Sequence, residues 1–145
     1  MTGRRLLLVV VFAALPLLGA CGSDGSAGAT TAAPAASSVV TKVSPSDGQA
    51  LIAKLGKDLI VIDVRTPSEY AAGHLADAVN IDLEGGLFSQ GIAALSKDAT
   101  YMVYCHSGRR SAIAASTMAA AGFTKVYDLG GIAAWQAAGL PVVTG

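Results

Sequence analysis

The chain has 145 residues, with ten Lys and Arg against ten Asp and Glu, two cysteines and two histidines. That length limits it to one domain, and zero net charge argues against a nucleic-acid-binding protein, which needs a basic surplus on one face. Two cysteines cannot build a disulfide scaffold, and two histidines add too little for a structural zinc site. We therefore expect no metal, no other cofactor and no nucleic-acid partner.

The first twenty residues predict an export signal. Arg4 and Arg5 precede the apolar run Leu6–Ala20, which is interrupted by Pro16 and is short for a transmembrane helix. The run ends in a Leu-Gly-Ala sequence before Cys21, which resembles a bacterial lipobox. The resemblance implies that a lipoprotein signal peptide, residues 1–20, is cleaved off and that lipid attaches to Cys21. The alternatives are an ordinary secretory peptide and an uncleaved anchor.

Residues 21–41 predict a flexible linker, because they are almost wholly Gly, Ala, Ser and Thr and lack large apolar side chains. With lipid on Cys21, this linker would tether a folded domain, residues 42–145, to the extracytoplasmic face of a bacterial cell membrane. The short stretch Val39–Val43 fits either the end of the linker or a first edge strand.

Strands and helices are predicted to alternate along the domain. Ser44 and Pro45 are typical of a helix start, and this helix is expected to end at Gly56. The predicted strands are Leu59–Ile62, Ala78–Ile81, Tyr101–Tyr104 and Lys125–Leu129, and the later helices are Gly91–Leu95, Ser111–Ala121 and Ile132–Ala138. Such alternation on short connections predicts an α/β domain with a parallel sheet covered on both faces.

Cys105 stands where a predicted buried strand gives way to a loop and then a helix. Ligands of open α/β sheets bind at this edge. Loop amides, the helix N-terminus and the guanidinium groups of Arg109 and Arg110 should favour the thiolate of Cys105, and Gly108 lets the backbone turn around the sulfur. We therefore interpret Cys105 as a nucleophile rather than as a thiol packed in the core.

Four ordered motifs resemble those of the rhodanese-like sulfurtransferases, across about residues 40–145. They are Ile62–Arg65, Glu69–Leu75, Cys105–Arg110, and Leu129–Gly131 leading to Trp135. The resemblance implies a rhodanese-like three-layer fold in which a five-stranded parallel sheet has helices on both faces. It also implies transfer of a sulfane sulfur through a Cys105 persulfide, from a donor such as thiosulfate or a persulfide to a thiol or cyanide acceptor. The loop residues expected around the outer sulfur are His106, Ser107, Gly108, Arg109 and Arg110.

Other functions for the Cys105 loop remain as alternatives. A cysteine-dependent phosphatase would place five residues between Cys and Arg, whereas four separate Cys105 from Arg110, a shorter ring that suits one sulfur atom. A non-catalytic binding or sulfur-carrier module tethered to the membrane is the main alternative, although it does not need an intact Cys and a basic loop. A redox role would need an intermolecular disulfide, because the mature domain has no second cysteine to resolve one.

Supporting roles are expected for polar residues near this edge. Asp63 and Arg65 lie two apart at the end of a strand and so share a face. Arg65 is placed to pair with Glu69 across a short turn, and these residues are expected to brace the loop and cap helices. His74 is expected to be a structural hydrogen-bonding residue, and Trp135 to lie in the core.

Three loop side chains are candidates for contact with substrate. Arg110 is expected either to hold the loop or to bind thiosulfate, and His106 and Arg109 are candidates for contacting substrate anions. One departure from the family pattern is the turn after His74, where Ala76-Asp77 replaces the frequent Pro-Gly and leaves the turn geometry open.

Overall fold

A computed structural model describes residues 39–145 of the chain. The predicted signal peptide, the lipidation site Cys21 and nearly all of the predicted linker lie outside these residues. None of the helices within residues 39–145 combines the length and the apolarity that crossing a bilayer requires.

The domain is built on one five-stranded sheet. In chain order its strands are β1 (Val40–Lys42), β2 (Leu59–Asp63), β3 (Val79–Asn80), β4 (Thr100–Cys105) and β5 (Lys125–Gly131). Their spatial order is β1-β5-β4-β2-β3, and every pair is parallel. This confirms the predicted five-stranded parallel sheet. Because β1 begins at Val40, the stretch left open by the sequence forms an edge strand, and Val40 and Thr41 belong to the fold rather than to the linker.

Helices cover both faces of the sheet, as predicted. They are α1 (Pro45–Leu55), α2 (Pro67–Ala72), α3 (Phe88–Gly91), α4 (Arg109–Ala120) and α5 (Ile132–Ala137), with a 3-10 turn at Gly56–Asp58. Core residues of α3 and α4 pack on one face, whereas those of α1, α2 and α5 pack on the other. Trp135 of α5 is 2% exposed, and its indole N–H donates to the carbonyl of Pro141 at 2.9 Å, which confirms its predicted place in the core.

The start of α1 has the capping residue and the proline that the sequence predicted. Ser44 Oγ accepts from the amide of Asp47 at 3.2 Å, and Pro45 occupies the first turn. Gly56 ends the helix with a φ of +52°, a conformation that costs glycine little.

Two helices differ from the sequence prediction. α2 was not predicted, although Thr66 and Glu69 form a full capping box around Pro67 at the first helical position. The helix predicted at Gly91–Leu95 lies earlier, at Phe88–Gly91. The reason is packing: Phe88 and Ile92 lie four residues apart and are both buried, so the helical turn between them directs both side chains into the core.

The turn after His74 has a residue other than glycine in a left-handed conformation. The amide of Ala78 donates to the carbonyl of Leu75 at 3.1 Å, and Asp77 adopts a φ of +59°. Asp77 is the one non-glycine residue with a positive φ among the described residues. Asp tolerates this region better than most side chains, because its carboxylate can bond to the local backbone.

Candidate active site

The carboxyl ends of β2, β4 and β5 meet at one edge of the sheet. Asp63 pairs in register with Tyr104, and Cys105 pairs with Gly131. In open parallel sheets this edge is where ligands bind. The topology therefore brings together three of the motifs that the sequence analysis singled out.

Cys105 is held at the bottom of a tight loop. Its side chain is buried, and the backbone N–H of Gly108 donates to its Sγ at 3.0 Å. Gly108 has a φ of +102° and precedes the first residue of α4, so its amide turns back toward the sulfur. The Gly108 carbonyl in turn accepts from Ser111 Oγ at 3.0 Å, which fixes the turn. The turn at Gly108 thus places a backbone N–H donor at the sulfur of Cys105.

A bulge in β5 brings its last residues against this loop. Val103 pairs with Asp128 but Tyr104 pairs with Gly130, so one extra residue is accommodated in β5. A Cβ atom on Gly131 would lie 2.5 Å from the carbonyl oxygen of His106 and 2.8 Å from the Cα of Ser107. Position 131 therefore needs glycine for close approach of the two backbones.

Arg110 is bound by two carboxylates. Its Nη1 and Nη2 donate to Glu69 Oε2 and Oε1 at 2.8 and 2.7 Å, and Nη1 also donates to Glu84 Oε2 at 2.8 Å. This contradicts the expected pairing of Glu69 with Arg65. α2 orients Glu69 toward Arg110, whereas the guanidinium group of Arg65 donates hydrogen bonds to the carboxylate of Asp63. Arg110 thereby links the start of α4 to α2 and to the loop that carries Glu84, and the two roles expected for it stay predictions.

The ion pair has electrostatic consequences for both partners. Hydrogen bonds from Arg110 and from Thr66, against the opposing effect of burial, lower the pKa of Glu69 to about 2. The hydrogen bond to Glu69, followed by the charges of Glu69 and Glu84, raises the pKa of Arg110. Glu69 is therefore ionised at neutral pH, and its ion pair with Arg110 joins α2 to the start of α4 beside the Cys105 loop.

Asp63 and Arg65 form a second, more deeply buried pair. Arg65 Nη2 lies 2.6 Å from Asp63 Oδ2, and it also donates to the carbonyl of Gly73 at 2.6 Å. The side-chain Nδ2 of Asn80 donates to the backbone carbonyls of Asp63 and Arg65 at 3.0 and 2.8 Å. Burial and the hydrogen bond to Asp63 raise the pKa of Tyr104, which keeps its hydroxyl neutral. These contacts join the end of β2 to the residues after α2 and to β3, and the bracing of the Cys105 loop by Asp63 and Arg65 stays a prediction.

The remaining polar residues of the motifs fall into two groups. His106, Ser107 and Arg109 are exposed, and Arg109 makes no hydrogen bond or ion pair with any residue in the described part of the chain. His74 is buried instead: its ring stacks on Tyr70 at 3.7 Å, and its Nδ1 lies 3.0 Å from the Tyr70 carbonyl oxygen. The exposed residues are free to meet a ligand, whereas His74 has the structural role expected of it.

A cleft of about 270 Å³ opens beside the loop. Its wall includes Arg65 and Glu69 on one side, His106 of the loop, and Ile132 and Gln136 of α5. A larger cleft, of about 520 Å³, lies behind the turn that carries Glu84 and is lined by residues such as Pro67 and Leu87. Across residues 39–145, no three His, Cys, Asp or Glu side chains gather closely enough to hold a metal ion.

The fold and this loop define the class of the protein. The family model described as "Rhodanese-like domain" matches residues 45–138, so the chain belongs to the rhodanese-like domain family. A sulfurtransferase of Allochromatium vinosum is 35% identical over an alignment of 100 residues, which covers 67% of this chain and 92% of that protein. A thiosulfate sulfurtransferase of Pseudomonas entomophila is 33% identical over 96 residues, or 66% of this chain and 84% of that one.

Solved structures agree with this membership. The crystal structure of a rhodanese-related protein from Thermoplasma volcanium matches with a TM-score of 0.62 and 30% identity, over 72% of this chain and 99% of that one. The polysulfide-sulfur transferase homodimer of Wolinella succinogenes matches with a TM-score of 0.61 and 27% identity, over 74% of this chain and 80% of that one. The domain is thus a rhodanese-like domain whose curated relatives include sulfurtransferases.

Two features of the site were missed from the sequence. The first is Glu84, which accepts a hydrogen bond from Arg110 although the two residues are 26 positions apart in the sequence. No local sequence pattern predicts such a pair. The close packing of Gly131 on the loop had a signal, because two adjacent glycines at the end of a strand often mark a bulge or a close backbone approach.

Proposed function

We propose that this domain transfers a sulfane sulfur through a persulfide on Cys105. The observation that carries the proposal is the N–H of Gly108 aimed at Cys105 Sγ from 3.0 Å, within a loop that turns back on the end of β4. The sulfurtransferase relatives support the same reaction class. Arg110, Glu69 and Glu84 would keep the loop in this shape during turnover, since they link it to two other segments.

The reaction needs only a thiolate and a sulfur donor. The Cys105 thiolate attacks the outer sulfur of thiosulfate, a new S–S bond forms, and the old S–S bond breaks with its electron pair leaving on sulfite. A thiolate or cyanide acceptor then attacks the outer sulfur of the persulfide and returns Cys105 as a thiolate. The Gly108 amide would stabilise negative charge on sulfur in both steps. His106 and Arg109, which are exposed beside the loop, are the side chains best placed to meet the donor anion.

Mass spectrometry of the full chain tests this proposal. After incubation with thiosulfate, the peptide containing Cys105 is expected to gain the mass of one sulfur atom, and a thiol or cyanide is expected to remove it. Cys105→Ser should lose both the added mass and thiocyanate formation, whereas the matched variant Cys21→Ser should keep them. An unmodified Cys105 after treatment with thiosulfate and with organic persulfides would favour the non-catalytic binding alternative.

We further propose that the chain is a bacterial lipoprotein held by lipid on Cys21 at the extracytoplasmic face of the cell membrane. The basic pair, apolar run and lipobox-like sequence before Cys21 support this. Cells fed an alkyne-labelled fatty acid should incorporate the label into the full chain but not into Cys21→Ser. Labelling that survives Cys21→Ser, or its absence from both proteins in a lipoprotein-processing bacterium, would overturn the proposal.

A further inference from the structure

Asp128 is a buried acidic residue of β5 that the proposed sulfur transfer does not use. The residue is 4% exposed, and its Oδ1 accepts from the backbone N–H of Gly130 at 3.0 Å. Its own carbonyl accepts from the amide of Val43 at 3.0 Å, which ties Asp128 to the end of β1. Burial of a polar group costs free energy unless the group is bonded, so a polar side chain at this position needs a local reason.

The bond from Gly130 closes the turn that forms the bulge in β5. Asp128 and Gly130 pair with consecutive residues of β4, so Leu129 between them is the extra residue. Gly130 has a φ of +81°, and an Asp side chain that accepts from the amide two residues on stabilises a turn of this kind. The Asp128 side chain therefore sets where the last two residues of β5 lie.

The end of β5 and the start of α5 hold one peptide group of the Cys105 loop. The carbonyl of His106 lies against Gly131, and the backbone N–H of Ala133 in α5 donates to the same carbonyl at 3.3 Å. In a trans peptide the N–H points opposite to the C=O, so these contacts direct the amide of Ser107 away from α5. The position of the bulge thus determines how the loop presents its peptide groups.

We propose that Asp128 is a positioning residue for Cys105: by holding the bulge, it seats the loop so that the Gly108 N–H meets the sulfur. The inference rests on the proposed function, since it names a further residue on which sulfur transfer depends. The role requires an acceptor oxygen at the position of Oδ1 and does not require a negative charge. Asparagine should therefore replace Asp128, whereas alanine and glutamate should not.

Three substitutions in the full chain separate the hydrogen bond from the charge. Asp128→Asn keeps the Oδ1 acceptor and loses the carboxylate, Asp128→Glu keeps a carboxylate but places it one methylene further from the backbone, and Asp128→Ala removes both. The maximal rate of Cys105 persulfidation and the half-saturating thiosulfate concentration are measured for each, with folding checked by circular dichroism.

The effect is expected in the maximal rate, because the Gly108 amide acts on the sulfur whereas the donor anion meets exposed side chains of the loop. Asp128→Ala and Asp128→Glu are expected to lower the maximal rate about tenfold and to change the half-saturating concentration by less than about twofold. Asp128→Asn is expected to stay within about twofold of wild type in both quantities, because its side-chain oxygen still closes the turn.

A second readout does not depend on sulfur transfer. The amide resonance of Gly108 in a heteronuclear NMR spectrum reports the hydrogen bond from this amide to Cys105 Sγ. The resonance is expected to move in Asp128→Ala and Asp128→Glu and to stay close to its wild-type position in Asp128→Asn.

Two further variants separate this effect from a general loss of stability. Tyr101→Phe also removes one side-chain hydrogen bond to the backbone, near the amino end of β4 and away from Cys105, and is expected to leave both readouts unchanged. Asp128→Ala combined with Gly131→Ala is expected to lose little more activity than Gly131→Ala alone, because both displace the same contact between β5 and the loop.

The inference is overturned if Asp128→Asn is as slow as Asp128→Ala, if Asp128→Glu keeps the wild-type rate, or if Tyr101→Phe changes the readouts in the same way. It is also overturned if Asp128→Ala does not fold, which would make Asp128 a general core residue, or if the losses of the double variant multiply. Wild-type Cys105 that takes up no sulfur would instead contradict the proposed function, and the Gly108 resonance would still decide the role of Asp128.

Discussion

Gly131 contacts the carbonyl of His106 so closely that a methyl group at position 131 would lie 2.5 Å from that oxygen. The backbone of Gly131 has a φ of −110°, which any residue can adopt, so the need for glycine is steric. Gly131→Ala is expected to push the Cys105 loop outward, destabilise the fold by about 1–3 kcal/mol, and slow Cys105 persulfidation by about tenfold or more. Urea unfolding and persulfidation kinetics measure the two effects.

Gly122→Ala is the matched control for that variant. Gly122 has a φ of +89°, a methyl group on it would meet no atom within 4 Å, and it lies at the opposite end of α4 from the loop. The strain of a left-handed alanine is expected to cost about 1–2 kcal/mol of stability, with persulfidation kinetics unchanged. Equal losses of activity in the two variants would show that global stability, rather than loop position, controls the rate.

Glu69 makes the stability of the domain depend on pH. Because its pKa is lowered to about 2 in the folded state, chiefly by Arg110, the ionised form favours folding. The stabilisation is fully present above the ordinary pKa of 4.5 and is lost as the pH falls toward 2. Glu69→Gln is expected to cost about 1–2 kcal/mol at pH 7, after allowance for the partial exposure of the pair.

Urea unfolding of wild-type protein and Glu69→Gln at pH 7, 5 and 3 checks this expectation. The difference in unfolding free energy should stay constant between pH 7 and pH 5 and shrink at pH 3. Glu84→Gln serves as the comparison, because the Glu84 side chain is 60% exposed and its removal should have a much smaller effect. A difference that grows on acidification would contradict the assigned direction of the pKa shift.

Tyr104 joins the buried ion pair to the loop that follows α2. Its fully buried hydroxyl accepts from the amide of Leu75 at 3.1 Å and bonds with Asp63. Tyr104→Phe leaves a buried N–H without its partner and is expected to cost about 1–3 kcal/mol. Tyr101→Phe on the same strand removes one hydrogen bond, to the carbonyl of Ser96, and is expected to cost about 0.5–1.5 kcal/mol.

Thermal unfolding of the two tyrosine variants in parallel measures that difference. Equal destabilisation would indicate that water replaces the Tyr104 hydroxyl at the Leu75 amide.

Asp77 holds a left-handed turn that glycine would adopt without strain. Its φ of +59° predicts that Asp77→Gly raises the unfolding free energy by a few tenths to about 1 kcal/mol, because relief of strain outweighs the greater backbone entropy of unfolded glycine. Asp77→Val is expected to lower the unfolding free energy, since β-branched residues rarely adopt this conformation. Differential scanning calorimetry of both variants checks the signs, and a lower melting temperature for Asp77→Gly would contradict them.

Most of the fold could be predicted because it depends on local patterns. Runs such as Leu59–Ile62 are buried on both faces of the sheet, and the start of α1 follows from Ser44 and Pro45. α2 was equally readable, since Thr66 and Glu69 form a capping box, but its six residues offer little hydrophobic periodicity. α3 was misplaced because its position depends on where Phe88 finds space in the core.

The candidate site was predictable only in part. The position of Cys105 and the need for Gly108 follow from the chain itself, because strand, loop and helix are consecutive. The partner of Glu69 could not be predicted in the same way. Arg65 is only four residues from Glu69 in the sequence, whereas the actual partner, Arg110, is 41 residues away. Proximity in the sequence favoured Arg65, which was wrong. Glu69 binds Arg110 instead, because α2 orients the Glu69 side chain toward it. Glu84 illustrates the same limit, since only the tertiary fold brings its loop to Arg110.

The edge strand β1 also has a mechanical consequence. The described chain enters the sheet through Val39, whose carbonyl accepts from the amide of Val126, and β1 then runs beside β5 as far as Lys42. A pulling force applied at this end would be borne first by the hydrogen bonds between those two strands. β5 is also the strand whose end packs against the Cys105 loop. Tension on the amino end of the domain would therefore reach the Cys105 loop through a single strand, β5.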